Sequence, residues 1–129
     1  MAEPVRVLVV DDEDQFVEAV VERLRLRDFV ADGVTDGEKA IATLREKPRD
    51  VVLLDVKMPG IGGLEVIKKI KATWPGLQVI LLTGHGSSRD AEEGMRLGAF
   101  KYVMKPVDID QLSAVLREAS NRSEMTTNE

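Results

Sequence analysis

The chain predicts a single α/β domain in which helices cover both faces of a parallel sheet. Three observations lead there. Residues 5–10, 51–54 and 79–82 are short runs rich in Val and Leu that do not alternate with polar residues, the pattern of strands buried on both faces. The segments between them repeat apolar residues at helical spacing, so that each can cover one sheet face. Strand and helix then alternate along the whole chain, which calls for right-handed crossovers and a doubly wound sandwich.

The elements follow in order. The first strand, 5–10, leads into a helix carrying Phe16, Val17, Val20, Val21 and Leu24. A weaker strand at 29–31 precedes a helix with Ala40, Ile41 and Leu44, and Thr35 with Glu38 has the spacing of a capping box at its start. The third strand, 51–54, runs into the turn chemistry of MPGIGG (58–63), after which Leu64, Ile67 and Ile70 mark a helix. WPG (74–76) is a second turn and leads to the strand at 79–82. A fourth helix is expected over 88–97, stopped by Gly98; Gly94 inside it costs about 1 kcal/mol relative to Ala and marks either a mobile element or close packing. A second weak strand at 100–104 is followed by a helix from Asp108 to about Ser120 with Leu112, Val115, Leu116 and Ala119, its start marked by Asp108 and Gln111. The tail 120–129 is polar, without an apolar period, and reads as frayed or as a linker.

Bulk properties narrow the function. A length of 129 residues suits one core. The absence of cysteine excludes disulfides, thiolate zinc sites and cysteine nucleophiles, and agrees with a reducing compartment. No apolar run approaches the roughly 18 residues of a membrane helix, and MAEPVRV lacks the regions of a signal peptide; a cytoplasmic location without membrane contact is the expectation. A formal net charge of −5 argues against direct, non-specific binding of nucleic acid. A protein or a small charged ligand is the expected partner.

In open α/β sheets the ligand lies outside the carboxyl ends of the strands. Here those ends are Asp11 and Asp12 on the first strand, Asp55 on the third, Thr83 on the fourth and Lys105, before Pro106, on the fifth. Several acids at one rim raise one another's pKa unless a cation lies among them. An all-oxygen set suits Mg²⁺ better than Zn²⁺. A carboxylate beside such a cation can attack a phosphoryl group and form an aspartyl phosphate, while Lys105 and Thr83 are placed to hold the transferred oxygens. Glu13 and Asp14 read instead as the start of the first helix.

The motifs VVDDE (9–13), LLDVKMPGIGGLEV (53–66), ILLTGHG (80–86) and GAFKYVMKP (98–106), in this order, resemble the receiver domain of the response regulators of two-component signalling. The resemblance covers about residues 4–119 and leaves 120–129 as a polar tail or linker. It implies a flavodoxin-like fold with five parallel strands in the order 2-1-3-4-5. It also implies Asp55 as phosphoacceptor, Asp12 as a direct Mg²⁺ ligand, Asp11 as a ligand through water and the carbonyl of Lys57 as the remaining protein ligand. Thr83 and Lys105 would contact the phosphoryl group, Tyr102 would be the aromatic switch coupled to Thr83, and the Lys105–Pro106 peptide would be cis. The implied partners are a sensor histidine kinase and an effector domain or partner protein, with phosphorylation-dependent homodimerisation as one form of output through the fourth helix, fifth strand and fifth helix. The chain would be a switch that assists its own phosphorylation and dephosphorylation, not a metabolic enzyme. Lys101 stands where the family often has an acid, and the side chain of Lys57 flanks the phosphate site.

Other readings were weighed on the same residues. A Walker B role for Asp55 needs a phosphate loop, and GVTDGEKA (33–40) has the wrong spacing. A nucleotidase usually has a second Asp where this chain has Lys57. His85, the only histidine, has no nucleophile elbow to serve and reads as an exposed loop residue near the site. Three alternatives remain beside the phosphorelay: a phosphorylation-independent interaction module, a small Mg²⁺-dependent phosphohydrolase using Asp55, and, behind these, a flavodoxin-like redox protein, for which no flavin phosphate loop is visible.

Overall fold

The computed structural model describes residues 3–58, 60–84 and 89–127, with 122–127 as backbone alone. The elements are β1 (Arg6–Val10), α1 (Asp14–Arg25), β2 (Val30–Val34), α2 (Gly37–Glu46), β3 (Val51–Asp55), α3 (Gly63–Thr73), β4 (Gln78–Thr83), α4 (Arg89–Arg96), β5 (Lys101–Met104) and α5 (Ile109–Thr127). All neighbouring strands are parallel, in the order β2-β1-β3-β4-β5. This is the flavodoxin-like order that the resemblance implied.

The order follows from which strands tolerate water. Every residue of β3 and β4 is buried, so these strands need a neighbour on each side and a helix layer on each face. β5 exposes Lys101, Tyr102 and Met104 and takes an edge. Alternate residues of the central strands feed two cores. Val7, Val9, Leu53, Ile80 and Leu82 meet Val17, Val20 and Leu24 of α1 and Leu112 and Leu116 of α5. Leu8, Val10, Val52, Leu54, Val79 and Leu81 meet Ala40, Ile41 and Leu44 of α2 and Val66, Ile67 and Ile70 of α3. Each fully buried Leu or Ile is worth about 1.5–3 kcal/mol relative to exposure, and this two-sided burial fixes where the central strands β1, β3 and β4 end.

Some local expectations are corrected. β2 extends over Val30–Val34 rather than 29–31, because its length is set by pairing with β1 from Arg6↔Val30 to Val10↔Val34 and not by its own apolarity. An edge strand accommodates Asp32, whose Oδ2 lies 2.7 Å from Nη2 of Arg49. The cap of α2 is Asp36 and not Thr35: its Oδ1 accepts a hydrogen bond of 2.8 Å from the N–H of Lys39. Asp108 does cap α5, accepting from the N–H groups of Asp110 at 2.9 Å and Gln111 at 3.1 Å. α5 itself continues past Ser120 to Thr127; residues 121–127 contain neither Gly nor Pro, and once a helix exists each further residue adds a backbone bond without a new nucleation cost. The start of the fourth helix at Ser88 and the exposure of His85 lie outside the described residues. Among the described residues no helix is long and apolar enough to cross a membrane.

Gly94 and Gly63 are among the glycines required by close approach. A Cβ on Gly94 would overlap the side chain of Leu81, so this residue lets α4 lie directly on β4, which decides for packing between the two sequence readings. A Cβ on Gly63 would overlap the carbonyl oxygen of Asp55 and come within 2.8 Å of the Val56 Cα. Those are backbone atoms of the strand end, which cannot move aside as a side chain can. By contrast, the nearest atom to a Cβ on Gly62 is the Met58 carbonyl oxygen at 4.0 Å. Gly63→Ala is therefore expected to cost at least about 2 kcal/mol in urea denaturation, whereas Gly62→Ala costs less than about 1 kcal/mol. Equal effects of the two substitutions would contradict the proposed contact.

Candidate metal centre

The site is assembled by strand ends. Asp11 follows β1 directly, and its N–H still donates to the Val34 carbonyl at 3.3 Å, so it is held in line with the sheet. Its side chain is fully buried, and its Oδ1 accepts a 2.9 Å hydrogen bond from the N–H of Glu13. Asp12, next in the chain, is exposed. Asp55 is the last residue of β3, lies opposite Leu82 of β4 and is 8% exposed; its Oδ1 accepts from the N–H of Lys57 at 3.2 Å. Thr83 ends β4 and is buried. Lys105 follows β5, where its N–H donates to the Thr83 carbonyl at 2.9 Å. The Lys105–Pro106 peptide is cis.

Carboxylate oxygens of Asp11, Asp12 and Asp55 all lie within 4.8 Å of one another. One ammonium sits among them: Nζ of Lys105 is 2.7 Å from Oδ2 of Asp11 and 3.2 Å from Oε1 of Glu13, and lies 4.5 Å from the centre of the Phe16 ring. Its carboxylate partners are thus Asp11 and Glu13 rather than Asp55. Burial pushes the Lys105 ammonium down, but Asp11 foremost, then Glu13 and Asp55, outweigh it and hold its pKa above the ordinary value. Asp55 is pushed up to about 6, first by burial and next by the charge of Asp11, with a smaller push from Asp12; Lys105 and the N–H of Lys57 act in the opposite sense.

Three carboxylates facing one ammonium leave excess negative charge at close range, which adds to burial in raising Asp55. A divalent cation relieves it, and the donor set is all oxygen, which fits Mg²⁺ better than a soft metal. Beside the cluster a cavity of about 190 Å³ is lined by Asp55, Lys57, Thr83, Gly84 and Asp90, among others. A carboxylate, a hydroxyl and room for a small oxyanion therefore share one recess.

Sequence reasoning placed Asp11, Asp12, Asp55, Thr83 and Lys105 at one rim, and the folded chain brings them there. Tyr102 is 43% exposed and points away from the core. Lys57 is exposed beside Asp55. Lys101 is also exposed, and its Nζ lies 3.1 Å from Oε2 of Glu118. Glu13 starts α1 at its N-cap position, as expected; its side chain, however, makes no cap hydrogen bond and its carboxylate accepts from Lys105 instead. Phe16 was assigned to a helix face only; its spacing of three from Glu13, which stacks both on one side of the first turn, was the signal available. Asp90 carried none.

The family model for the response regulator receiver domain matches residues 7–117. The chain belongs to this family. As a receiver domain it is 40% identical over 125 residues to the probable transcriptional regulatory protein TcrX of Mycobacterium tuberculosis, covering 97% of this chain and 53% of that protein. It is 32% identical to the two-component response regulator PhoP of Pseudomonas aeruginosa, covering 92% of this chain and 52% of the relative. The receiver thus spans about half the length of these curated relatives. Among solved structures, a response regulator receiver domain protein from Clostridium thermocellum superposes with a TM-score of 0.89 at 31% identity, covering 95% of this chain and 98% of that one. A CheY-like receiver domain protein from Methanospirillum hungatei gives the same score at 24% identity over 95% and 98% of the two chains, which speaks for the fold alone.

The raised pKa of Asp55 has a measurable consequence in metal-free buffer. An unfolded Asp titrates near about 3.9 and the folded one at about 6. The native state therefore binds the extra proton across that interval, and the stability it confers is fully present below the unfolded value and lost as pH rises through the folded value. Asp55→Asn, which mimics the protonated carboxyl, is expected to be more stable than the parent by about 1–3 kcal/mol at about pH 8 in EDTA. The difference should collapse near about pH 4. Equal denaturation midpoints at both pH values would show that Asp55 is not under this strain.

Proposed function

We propose that Asp55 is the phosphoacceptor of a two-component phosphorelay, charged by the phosphohistidine of a sensor histidine kinase. The reading is carried by one observation: the carboxyl that ends β3 has oxygens of Asp11 and Asp12 within 4.8 Å, lies in the field of the Lys105 ammonium and lines a recess with Thr83, which together are the groups that phosphoryl transfer to a carboxylate requires. Membership of the receiver family supports it.

With a pKa of about 6 in the metal-free site, Asp55 is mostly ionised at neutral pH, and a bound cation would favour its ionised form further. One of its oxygens attacks phosphorus in line; the new O–P bond forms as the N–P bond to the imidazole breaks, and the bonding pair returns to the ring nitrogen. Mg²⁺, when held by Asp11, Asp12, Asp55 and the Lys57 carbonyl, supplies charge neutralisation for the phosphoryl oxygens. Lys105 offers its ammonium to one of those oxygens, and the Thr83 hydroxyl donates to another. The acyl phosphate adds roughly two negative charges. Thr83 shifts towards it, Tyr102 turns inward from its exposed position, and the surface of α4, β5 and α5 changes state. That change is passed to an effector domain or partner protein, or to a second copy of the chain in a homodimer. The receiver assists its own phosphorylation and hydrolysis and is a switch rather than a metabolic enzyme.

Incubation with acetyl phosphate and Mg²⁺ is expected to add a single phosphoryl group, read by intact-mass spectrometry. Labelling should vanish in EDTA and in Asp55→Asn. Undiminished labelling of Asp55→Asn would reject the assignment, and steady release of phosphate from an ester in place of a labelled protein would favour a phosphohydrolase.

A further inference from the structure

Lys105 is held by more groups than a phosphoryl ligand needs. Asp11 is its buried partner at 2.7 Å, held at the carboxyl end of the interior strand β1 by its own N–H to Val34 and by the Glu13 N–H on its Oδ1. Glu13 is different: its side chain is 66% exposed, it reaches in from the start of α1, and it meets the same nitrogen at 3.2 Å. One helical turn on, Phe16 places its ring 4.5 Å from that nitrogen, where the negative face of the ring attracts a cation. The side of the ammonium turned to α1 is thus occupied by a carboxylate and an aromatic face, while Asp55 is not within ion-pair distance of it.

We infer that Glu13 and Phe16 form a resting berth for Lys105, so that Glu13 competes with the phosphoryl oxygens for the ammonium and weakens the site's hold on a phosphoryl group. The inference rests on the reading of Lys105 as a phosphoryl ligand. Glu13 is then a positioning residue, acting on phosphorus only through the lysine. For Lys105 to reach an oxyanion on Asp55 it must leave Glu13, and that loss is subtracted from the affinity of the phosphorylated state. Because the Glu13 pair is solvent-exposed, its weight is that of an exposed ion pair, equivalent to about a 1.5- to 5-fold change in an equilibrium constant.

Beryllofluoride, which mimics the phosphoryl group, provides the probe. In ¹⁹F NMR titrations with Mg²⁺, Glu13→Gln is expected to bind beryllofluoride about 1.5- to 5-fold more tightly than the parent, and Phe16→Leu to shift in the same direction. In EDTA, without any anion, the Lys105 side-chain ammonium resonance should move in Glu13→Gln, a readout that a purely structural role for Glu13 would leave in place. Unchanged or weaker beryllofluoride binding in Glu13→Gln, or an unmoved Lys105 resonance, would overturn the inference while leaving Asp55 as acceptor. Failure of the parent to bind beryllofluoride, or equal binding by Asp55→Asn, would overturn the underlying reading and the inference with it.

Discussion

The rest of the structure depends on a charge imbalance held in place by an apolar sheet. Three carboxylates meet within 4.8 Å and a single ammonium stands among them. In water such groups would drift apart. Here Asp11 and Asp55 are the continuations of strands whose every neighbouring residue is buried, so separating them would mean withdrawing Val10 or Leu54 from the core, at about 1.5–3 kcal/mol each. Hydrophobic burial therefore supplies the work that keeps like charges together.

This arrangement also explains the division of labour among the acids. Asp11, fully buried and hydrogen-bonded to the N–H of Glu13, serves as the fixed partner of Lys105. Asp12 is exposed at the mouth of the cluster. Asp55 bears the strain as a raised pKa, and Gly63 allows the first turn of α3 to lie against its backbone. Glu13, outside the cluster, shares the Lys105 ammonium with Asp11.

Much of this was legible in the sequence because the strongest signals are periodic or positional. Unalternating apolar runs revealed β1, β3 and β4, and the rule that ligands sit at the carboxyl ends of parallel strands turned those runs into the residues Asp11, Asp12, Asp55 and Thr83. Less legible was whatever pairing or side-chain reach decides. β2 is bounded by its register with β1, which no local pattern in ADGV encodes. Asp36 rather than Thr35 caps α2 because its carboxylate meets the Lys39 N–H, a choice of one residue within a polar run. Glu13 was assigned to the helix end because acids favour helix N-termini; its attachment to Lys105 spans 92 positions and depends on the fold itself. The close approaches at Gly63 and Gly94 likewise exist only once strand and helix are packed.

The central claim is that the imbalance at the sheet edge is a cation site. Titration of Mg²⁺ into the isotope-labelled protein, followed by the amide and carboxylate resonances of Asp11, Asp12 and Asp55, tests it most directly. Saturable shifts centred on these residues, strongly weakened in Asp12→Asn, are the expected result. Shifts centred elsewhere, or none at millimolar Mg²⁺, would contradict the account.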